Sequence, residues 1–283
     1  MSVAVRPRRA SGRAPAPPGR MASLRAVAVR SVRDQRRAVL VWGAALGALG
    51  GFMAAIYPSV RDMIDQLVEQ YPAGLKEAFG VGEMNTVEGY IHAEMFSLIV
   101  PLAIAVFAIR SATRPSVGAE ERSELDTILA LPLSRTALAF GAFVATAIAT
   151  AGILALTGVL TWVAGRIAGT GISAGLSAAG TLGLWPFALF FAGVAALAAG
   201  ALHGSGIVTG ISGGVLVAMY ALDLAGRLAQ QLEPLRYFSA FRYYGAPLRD
   251  GIDVSSFVVL AVGGVALAAV GALLFERRDV RQR

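Results

Sequence analysis

The sequence predicts an all-α integral membrane protein with six transmembrane helices. Of its 283 residues, 56% are hydrophobic and 15% are charged, whereas soluble proteins average about 25% charged residues. A membrane-spanning helix needs roughly 20 mostly apolar residues, and six stretches of the chain are of that order. They are residues 38–57, 94–112, 136–164, 176–202, 205–225 and 254–275.

The amino-terminal part of the chain divides into a basic tail and a predicted interfacial helix. Residues 1–20 are rich in Arg, Pro, Ala and Gly without apolar periodicity, so we expect them to be disordered. Residues 21–37 combine an apolar face with several Arg side chains, which predicts a helix lying on lipid phosphates. A plain lead-in to the first span is the alternative, and Met21 is an alternative start.

The predicted spans are rich in Gly and Ala, which allow close packing of helices in lipid. Spans two and four also contain Pro101 and Pro186. These prolines are expected to bend their helices or to mark breaks that neighbouring helices satisfy, although proline is also common in ordinary membrane helices. Only His203 and Gly204 separate spans four and five, which predicts a tight helical hairpin whose boundary the sequence does not define.

The basic residues that flank the spans predict the orientation of the chain. With the amino terminus inside, the cytoplasmic segments carry 18 Arg residues and the outer segments carry seven Arg or Lys residues. Positively charged residues accumulate on the cytoplasmic side of membrane proteins. Both termini are therefore predicted to be cytoplasmic. The formal charge of +7 reflects this topology and not nucleic-acid binding, because the Arg residues lie between apolar runs instead of clustering on a soluble scaffold.

Motifs for nucleotide, metal or proton chemistry are missing from the sequence. The only Lys is Lys76, in AGLKEAF, so no phosphate-binding GxxxxGK[ST] loop is present. The two His residues, His92 and His203, are predicted at opposite faces of the membrane, which disfavours a metalloenzyme. Glu88, His92 and Glu94 are close in sequence, and we interpret them as lining the outer end of span two. Energy for transport must come from another polypeptide.

The loop at residues 118–135, GAEERSELDTILALPLSR, predicts a short amphipathic helix on the cytoplasmic side. Acidic residues in a first helical turn are stabilising, and proline tends to end a helix. The apolar face comprises Leu125, Ile128, Leu129 and Pro132, and the preceding acids are Glu120, Glu121 and Glu124. The spacing alone does not distinguish a helix that lies on lipid from one that contacts a partner protein.

This loop resembles the segment after the second span in permease subunits of ABC-2-type transporters, which include drug and antibiotic exporters. That segment approximates E-x-x-x-G-T-L-E-x-L-L-A-x-P-x-S-R. It is matched here by Glu120 or Glu121, by residues 123–126 and by residues 128–135, with Ser-Glu-Leu-Asp in place of Gly-Thr-Leu-Glu. The departure retains the Leu and an acidic residue.

Two further stretches carry the same resemblance, which covers residues 22–283. The stretch PLRYFSAFRYYGAPLRDG (234–251) is similar to the aromatic outer segment that precedes the last span in that family, with Ala240 where the family has Pro. The chain ends with FERRDV (275–280) and three further residues, again similar to the family. Residues 21–283 are thereby identified as an ABC-2-type permease transmembrane domain.

The resemblance implies a half-transporter with partner subunits. A second permease copy, identical or homologous, would complete the path, and two separate ABC ATP-binding subunits would bind ATP and Mg²⁺, leaving this chain without a cofactor. The residues implied to couple to the ATPase are Glu120, Glu121, Glu124, Leu125, Ile128, Leu129, Pro132 and Arg135. The residues implied to form an outer gate, on short re-entrant helices, are Arg236, Tyr237, Phe238, Phe241, Arg242, Tyr243 and Tyr244.

The sequence is therefore interpreted as a multi-pass permease of the cell membrane that exports a hydrophobic drug, antibiotic or lipid-like compound. Two alternatives stay open. One is an ABC permease that serves ion extrusion or copper-enzyme maturation, and the other is a membrane scaffold or assembly factor without transport activity. Co-purification of an ATPase would separate a transporter from a scaffold.

Overall fold

The computed structural model describes residues 20–70, 84–115, 117–118 and 135–277. Within these ranges every regular element is a helix, as the sequence predicts. The long helices are α1 (Arg20–Gln70), α3 (Ile99–Thr113), α4 (Arg135–Ile167), α5 (Ala174–Ala201), α6 (Ser205–Leu228) and α9 (Val254–Arg277). The short ones are α2 (Val87–Ile91), a π-helix (His92–Phe96), a 3₁₀ helix (Gln230–Phe238), α7 (Ala240–Tyr244) and α8 (Pro247–Asp250).

Helix α1 is continuous over 51 residues, about 77 Å at a rise of about 1.5 Å per residue. This length exceeds the roughly 30 Å hydrocarbon core of a bilayer. The segment predicted as an interfacial helix is therefore not a separate element but runs directly into the first span. Its two faces nevertheless differ as the sequence predicts, because Val27 and Ala28 are buried while Arg30 and Arg33 are exposed.

Five helices are long and apolar enough to cross a membrane, and a bent pair gives a sixth crossing if it is counted as one span. The five lie in α1, α4, α5, α6 and α9. The bent pair joins Val87–Phe96 to Ile99–Thr113 at an angle of 45°. The predicted second span, residues 94–112, is thus broken near its beginning, in agreement with the expectation that Pro101 bends it.

The break at Ser97 and Leu98 has a local cause. Pro101 has no N–H to donate to the Ser97 carbonyl four residues earlier, and its ring disfavours a continuous helix there. The preceding turn is wound as a π-helix, in which Ser97 N donates to His92 O at 2.7 Å. The Phe96 carbonyl accepts a hydrogen bond from the Tyr244 hydroxyl at 3.1 Å, so a distant side chain satisfies a carbonyl beside the break.

Helices α1 and α4 run parallel and pack through glycines of α1. A Cβ added at Gly43, Gly47 or Gly51 would lie 2.7–2.9 Å from a side chain of α4. The opposing residues, in the same order, are Leu156, Leu160 and Ala164. Close approach of backbones at small residues is the usual basis of helix association in lipid, so this glycine row aligns the first and third predicted spans.

Helices α5 and α9 are also parallel and make a still closer contact. A Cβ at Gly193 would meet the backbone of Gly264, and one at Gly200 would meet the backbone of Gly271, each at less than 3 Å. The two glycines are seven residues apart on both helices, so the contacts recur after two turns. This backbone contact leaves no room for a side chain larger than hydrogen at these four positions of α5 and α9.

The long helices alternate in direction, so the bundle has two distinct ends. At one end Ser111 Oγ of α3 donates to Gln35 Oε1 of α1 at 2.6 Å, and Thr136 Oγ1 of α4 donates to Glu276 Oε2 of α9 at 2.8 Å. We call this the basic end, because the Arg residues of α1 from Arg25 to Arg37 extend beyond it. The short helices between α6 and α9 lie at the opposite end.

Candidate functional site

The predicted coupling segment, residues 118–135, is anchored at the basic end by its two flanks. Glu120, Glu121, Glu124, Leu125, Ile128, Leu129 and Pro132 lie outside the described residues. Gly118 is buried and follows Val117, which packs against Ala199 and Val208. Arg135 is the first residue of α4. The segment therefore leaves and re-enters the bundle at the end that carries the amino-terminal Arg residues.

The predicted outer segment forms three short helices that close the opposite end of the bundle. The 3₁₀ helix, α7 and α8 follow one another between α6 and α9. Ser239, at the junction between the 3₁₀ helix and α7, is fully buried. Its hydroxyl donates to Met219 O at 2.6 Å and accepts from Phe241 N at 3.2 Å. Ser239 thus caps α7 and ties it to α6.

Asp223 holds the 3₁₀ helix against the end of α6. Its carboxylate is 3% exposed and accepts from Arg227 Nε at 2.8 Å and from Arg236 Nε at 3.0 Å. The Arg236 side chain crosses Gly226, where a Cβ would clash with its methylenes. Asp223 lies near the end of the fifth predicted span, residues 205–225. Asp223 and Arg227 are four residues apart on one helix, a spacing from which their ion pair could have been predicted. The ion pair between Asp223 and Arg236 could not, because Arg236 belongs to a different helix.

Phe241 and Tyr244 anchor α7 in an aromatic cluster inside the bundle. The Phe187 ring of α5 has its centroid 4.9 Å from that of Phe241 and 5.6 Å from that of Tyr244. Tyr220 of α6 contacts Phe241 at 5.4 Å between centroids. Edge-to-face contacts of this kind add to the burial of apolar area. Burial raises the pKa of the Tyr244 hydroxyl above its usual value, so Tyr244 is a neutral donor to Phe96.

The remaining residues of the predicted gate lie towards the surface. Tyr237 is 58% exposed and Phe238 is 72% exposed. The Arg242 guanidinium lies 4.0 Å from the centre of the Tyr237 ring, a cation–π contact. The Tyr243 hydroxyl donates to Tyr237 O at 3.2 Å. The predicted gate residues thus divide into an anchor that contacts the long helices (Arg236, Phe241 and Tyr244) and a surface group (Tyr237, Phe238, Arg242 and Tyr243).

Helix α8 packs into a notch of α5 formed by two glycines. A Cβ at Gly180 would lie 2.8 Å from Leu248, and one at Gly183 would clash with Pro247. Beyond this contact, Arg249 donates to Asp250 at 2.7 Å. That hydrogen bond lowers the pKa of the Asp250 carboxyl below its usual value. The outer segment is therefore fastened to α5 as well as to α6.

A second feature, not predicted from the sequence, is a cavity of about 610 Å³ at the basic end. It lies between α1, α3 and the start of α6. Its walls combine polar and apolar side chains, including Gln35, Trp42, Phe107, Arg110 and Arg114. The closed end and the open cavity are therefore at opposite ends of the bundle.

An alternating bundle of long apolar helices, capped at one end by short helices, defines a polytopic helical membrane protein. Residues 25–276 match the family described as the C-terminal domain of the multidrug efflux system permease Rv1217c. Because the match extends over most of the chain, the chain belongs to this family of membrane permease domains. No curated protein matches the chain.

Proposed function

We propose that the chain is the transmembrane permease subunit of an ATP-driven ABC exporter in the cell membrane. Its substrate is a hydrophobic drug, antibiotic or lipid-like compound. The observation that carries the proposal is the match of residues 25–276 to the domain of a multidrug efflux permease. The ABC-2-like motif at residues 118–135 supports the ATP-driven mechanism.

The bent pair counts as one span in this proposal, so the chain crosses the membrane six times with both termini in the cytoplasm. The basic end then faces the cytoplasm, and the segment from Gln230 to Asp250 faces outwards. This orientation follows the excess of Arg residues at the basic end. Tyr237 and Phe238 then lie at the level of the outer headgroups, where aromatic residues are enriched.

Two ABC ATP-binding subunits supply the energy by binding ATP and Mg²⁺ and by acting on residues 118–135. Arg135 begins a helix of 33 residues, α4, which packs along α1 through the glycine row and along α5. In particular, Ser177 Oγ of α5 donates to Gly158 O of α4 at 3.2 Å, and Trp185 Nε1 donates to Ala147 O at 2.8 Å. A displacement at the start of α4 therefore acts on the centre of the bundle.

The second permease copy, identical or homologous, is expected to contact α6. A Cβ added at Gly206, Gly210, Gly213 or Gly214 of this helix would have no atom within 4 Å. The glycines of α1 and those shared by α5 and α9 are instead filled by neighbours within the chain. Ile207 and Ile211 are also exposed beside the open glycines. Small residues on an apolar face suit close packing against another helix.

Efflux measurements in cells that lack their own drug exporters test the proposed function. Cells that produce this chain together with its ATPase should retain less of a hydrophobic dye such as ethidium than cells that produce either protein alone. An ATPase variant that binds but does not hydrolyse ATP is the control and should abolish the difference. Equal dye retention in all strains, with both proteins present in the membrane, contradicts the proposal.

A further inference from the structure

The cavity at the basic end, which we call the cationic cavity, has a polar part and an apolar part. Its volume of about 610 Å³ falls within the range of roughly 300–1,000 Å³ that is common for small-molecule sites. Among the residues that the structure describes, the lining is formed by Gln35, Ala38, Trp42, Val106, Phe107, Arg110, Ser111, Thr113, Arg114, Gly118, Ser205 and Thr209. None of these residues is acidic.

Two guanidinium groups supply the charge of the polar part. Arg110 and Arg114 are four residues apart on α3 and therefore project from the same face of the helix. Both are exposed, and among the described residues neither forms an ion pair. The amino-terminal end of α6 contributes Ser205 and Thr209 to the wall. Its helix dipole is opposed there by the carboxyl-terminal end of α3, so the positive charge of the cavity comes from the two guanidinium groups.

Gln35 adds a neutral donor to the same wall. Its Oε1 accepts from Ser111 Oγ at 2.6 Å, and Ser111 Oγ lies 2.8 Å from Thr146 Oγ1. Because the carbonyl end of the amide accepts this hydrogen bond, the NH₂ end is the part of the Gln35 side chain that is left to donate. The polar part therefore presents cations and donors, a composition that favours an anion.

The apolar part lies next to Trp42 and Phe107, whose ring centroids are 6.0 Å apart in an edge-to-face contact. Trp42 is seven residues beyond Gln35 on α1, or about 10 Å further along the helix axis. Ala38 and Val106 complete this part of the wall. A molecule that fits both parts has an anionic group at one end and an apolar group about 10 Å away.

We propose that the cationic cavity binds an amphiphile with a phosphate or carboxylate headgroup, whose apolar part lies against Trp42. Two sources share this chemistry, namely an anionic phospholipid of the surrounding leaflet and a soluble anionic amphiphile that is a transport substrate. The second source deepens the proposed export function and rests on it. Binding by either source is a property of this chain alone.

Quenching of Trp fluorescence by brominated amphiphiles tests the proposal on the purified full chain in uncharged detergent. The probes are phosphatidylglycerol and phosphatidylcholine brominated in one acyl chain, and a brominated fatty acid. Binding in the cavity is measured as the quenching of the wild type minus the quenching of Trp42→Phe. The quenching that remains in Trp42→Phe comes from Trp162 and Trp185, which lie on other helices. We expect phosphatidylglycerol, the fatty acid, or both to bind at least ten times more tightly than phosphatidylcholine.

Variants assign the binding to the two Arg residues. Arg110→Gln combined with Arg114→Gln should reduce binding of the anionic probes to the level of phosphatidylcholine. Arg277→Gln is the matched control, because Arg277 is also exposed and follows Glu276 at the basic end but does not line the cavity. Its binding should stay within twofold of the wild type. The circular dichroism of all variants should remain that of the wild type, since the exchanged side chains are exposed.

The outcome also separates the two sources and the two proposals. Preferential binding of phosphatidylglycerol identifies a lipid site, whereas preferential binding of the fatty acid identifies a site for a soluble amphiphile. Equal affinity of wild type and double variant, or an equal loss in Arg277→Gln, overturns the proposal. Because the binding assay contains no ATPase, a negative binding result does not contradict the proposed export function. Conversely, a failure of dye efflux does not contradict the binding result.

Discussion

The Arg236 guanidinium donates to the buried carboxylate of Asp223 across 13 residues of chain, with 3.0 Å between Nε and Oδ1. Asp223 belongs to a helix that crosses the bundle, and Arg236 belongs to the 3₁₀ helix that closes its end. The same carboxylate pairs with Arg227 one turn along its own helix, at 2.7 Å. A single acid therefore pairs with two of the Arg residues at this end, and it connects the 3₁₀ helix to the bundle.

Replacing Asp223 with Asn should destabilise the protein, because two cations lose their shared carboxylate. Removal of one partner of a buried ion pair costs about 3–5 kcal/mol. The lower end is expected here, since Arg227 and Arg236 are 35% and 23% exposed. Thermal unfolding of the detergent-purified protein measures the loss. Asp250→Asn is the control, because Asp250 is 56% exposed and exposed pairs contribute about 0–1 kcal/mol. Equal stability of both variants would contradict the role of Asp223.

Replacing Tyr244 with Phe should lower stability by about 1–3 kcal/mol, the cost of an unpaired buried acceptor. The Phe96 carbonyl, at the break in the bent pair, loses the hydroxyl that donates to it. Tyr243→Phe is a matched control one residue away, because the Tyr243 hydroxyl bonds to Tyr237 O in an exposed position. Urea or thermal unfolding of the two variants should separate them clearly. Equal stability of the two variants would show that the hydrogen bond from the Tyr244 hydroxyl to the Phe96 carbonyl does not stabilise the bent pair.

Two glycine substitutions should have opposite consequences. Ala at Gly264 would press its Cβ into the backbone of Leu189 and Phe190, and overpacking costs about 1–3 kcal/mol.

Leu at Gly210 meets no atom of the chain within 4 Å of its Cβ, so stability should be unchanged. Because Gly210 belongs to the face proposed for the second permease copy, Gly210→Leu should instead reduce cross-linked dimer. Undiminished dimer in a folded Gly210→Leu protein would exclude this face.

Replacing Leu129 with Asp tests the coupling segment. If the partner ATPase covers Leu129, the new charge enters an apolar contact, and its desolvation is unfavourable. Membrane insertion should be normal, because Leu129 belongs to a loop and not to a predicted span, whereas recovery of the ATPase in a detergent pull-down should fall steeply. Glu124→Ala is the control and should have a smaller effect if Glu124 is solvated. Equal ATPase recovery with wild-type and Leu129→Asp protein would favour a helix that lies on lipid.

Single Cys substitutions should reveal the orientation without interference, since the chain has no native Cys. An impermeant thiol reagent applied to intact cells should label Cys at position 76 or 253. Cys at position 123 or 281 should react only after the cells are permeabilised. The physical basis is the concentration of Arg residues at the basic end. Labelling of position 123 from outside would reverse the proposed orientation.

The sequence alone determined the class of protein and most of the long helices. Residues 136–164, 205–225 and 254–275 were predicted as spans, and the structure has helices at Arg135–Ile167, Ser205–Leu228 and Val254–Arg277. The agreement has a simple reason, because a run of about 20 apolar residues has few alternatives to a helix in a bilayer. The proposed coupling role of residues 118–135 remains a prediction from the motif.

The tertiary structure decided which residues meet. The predicted second span begins at residue 94, inside the π-helix, and hydropathy did not indicate that residues 87–93 extend it. Only the contact with Tyr244 explains how the Phe96 carbonyl at the break is satisfied. Likewise, nothing in the sequence pairs Asp223 with Arg236, and the cationic cavity combines three helices that are distant along the chain. Hydropathy is a property of local composition, whereas these contacts depend on how the helices pack against one another. Packing of this kind brings together residues whose spacing along the chain carries no signal.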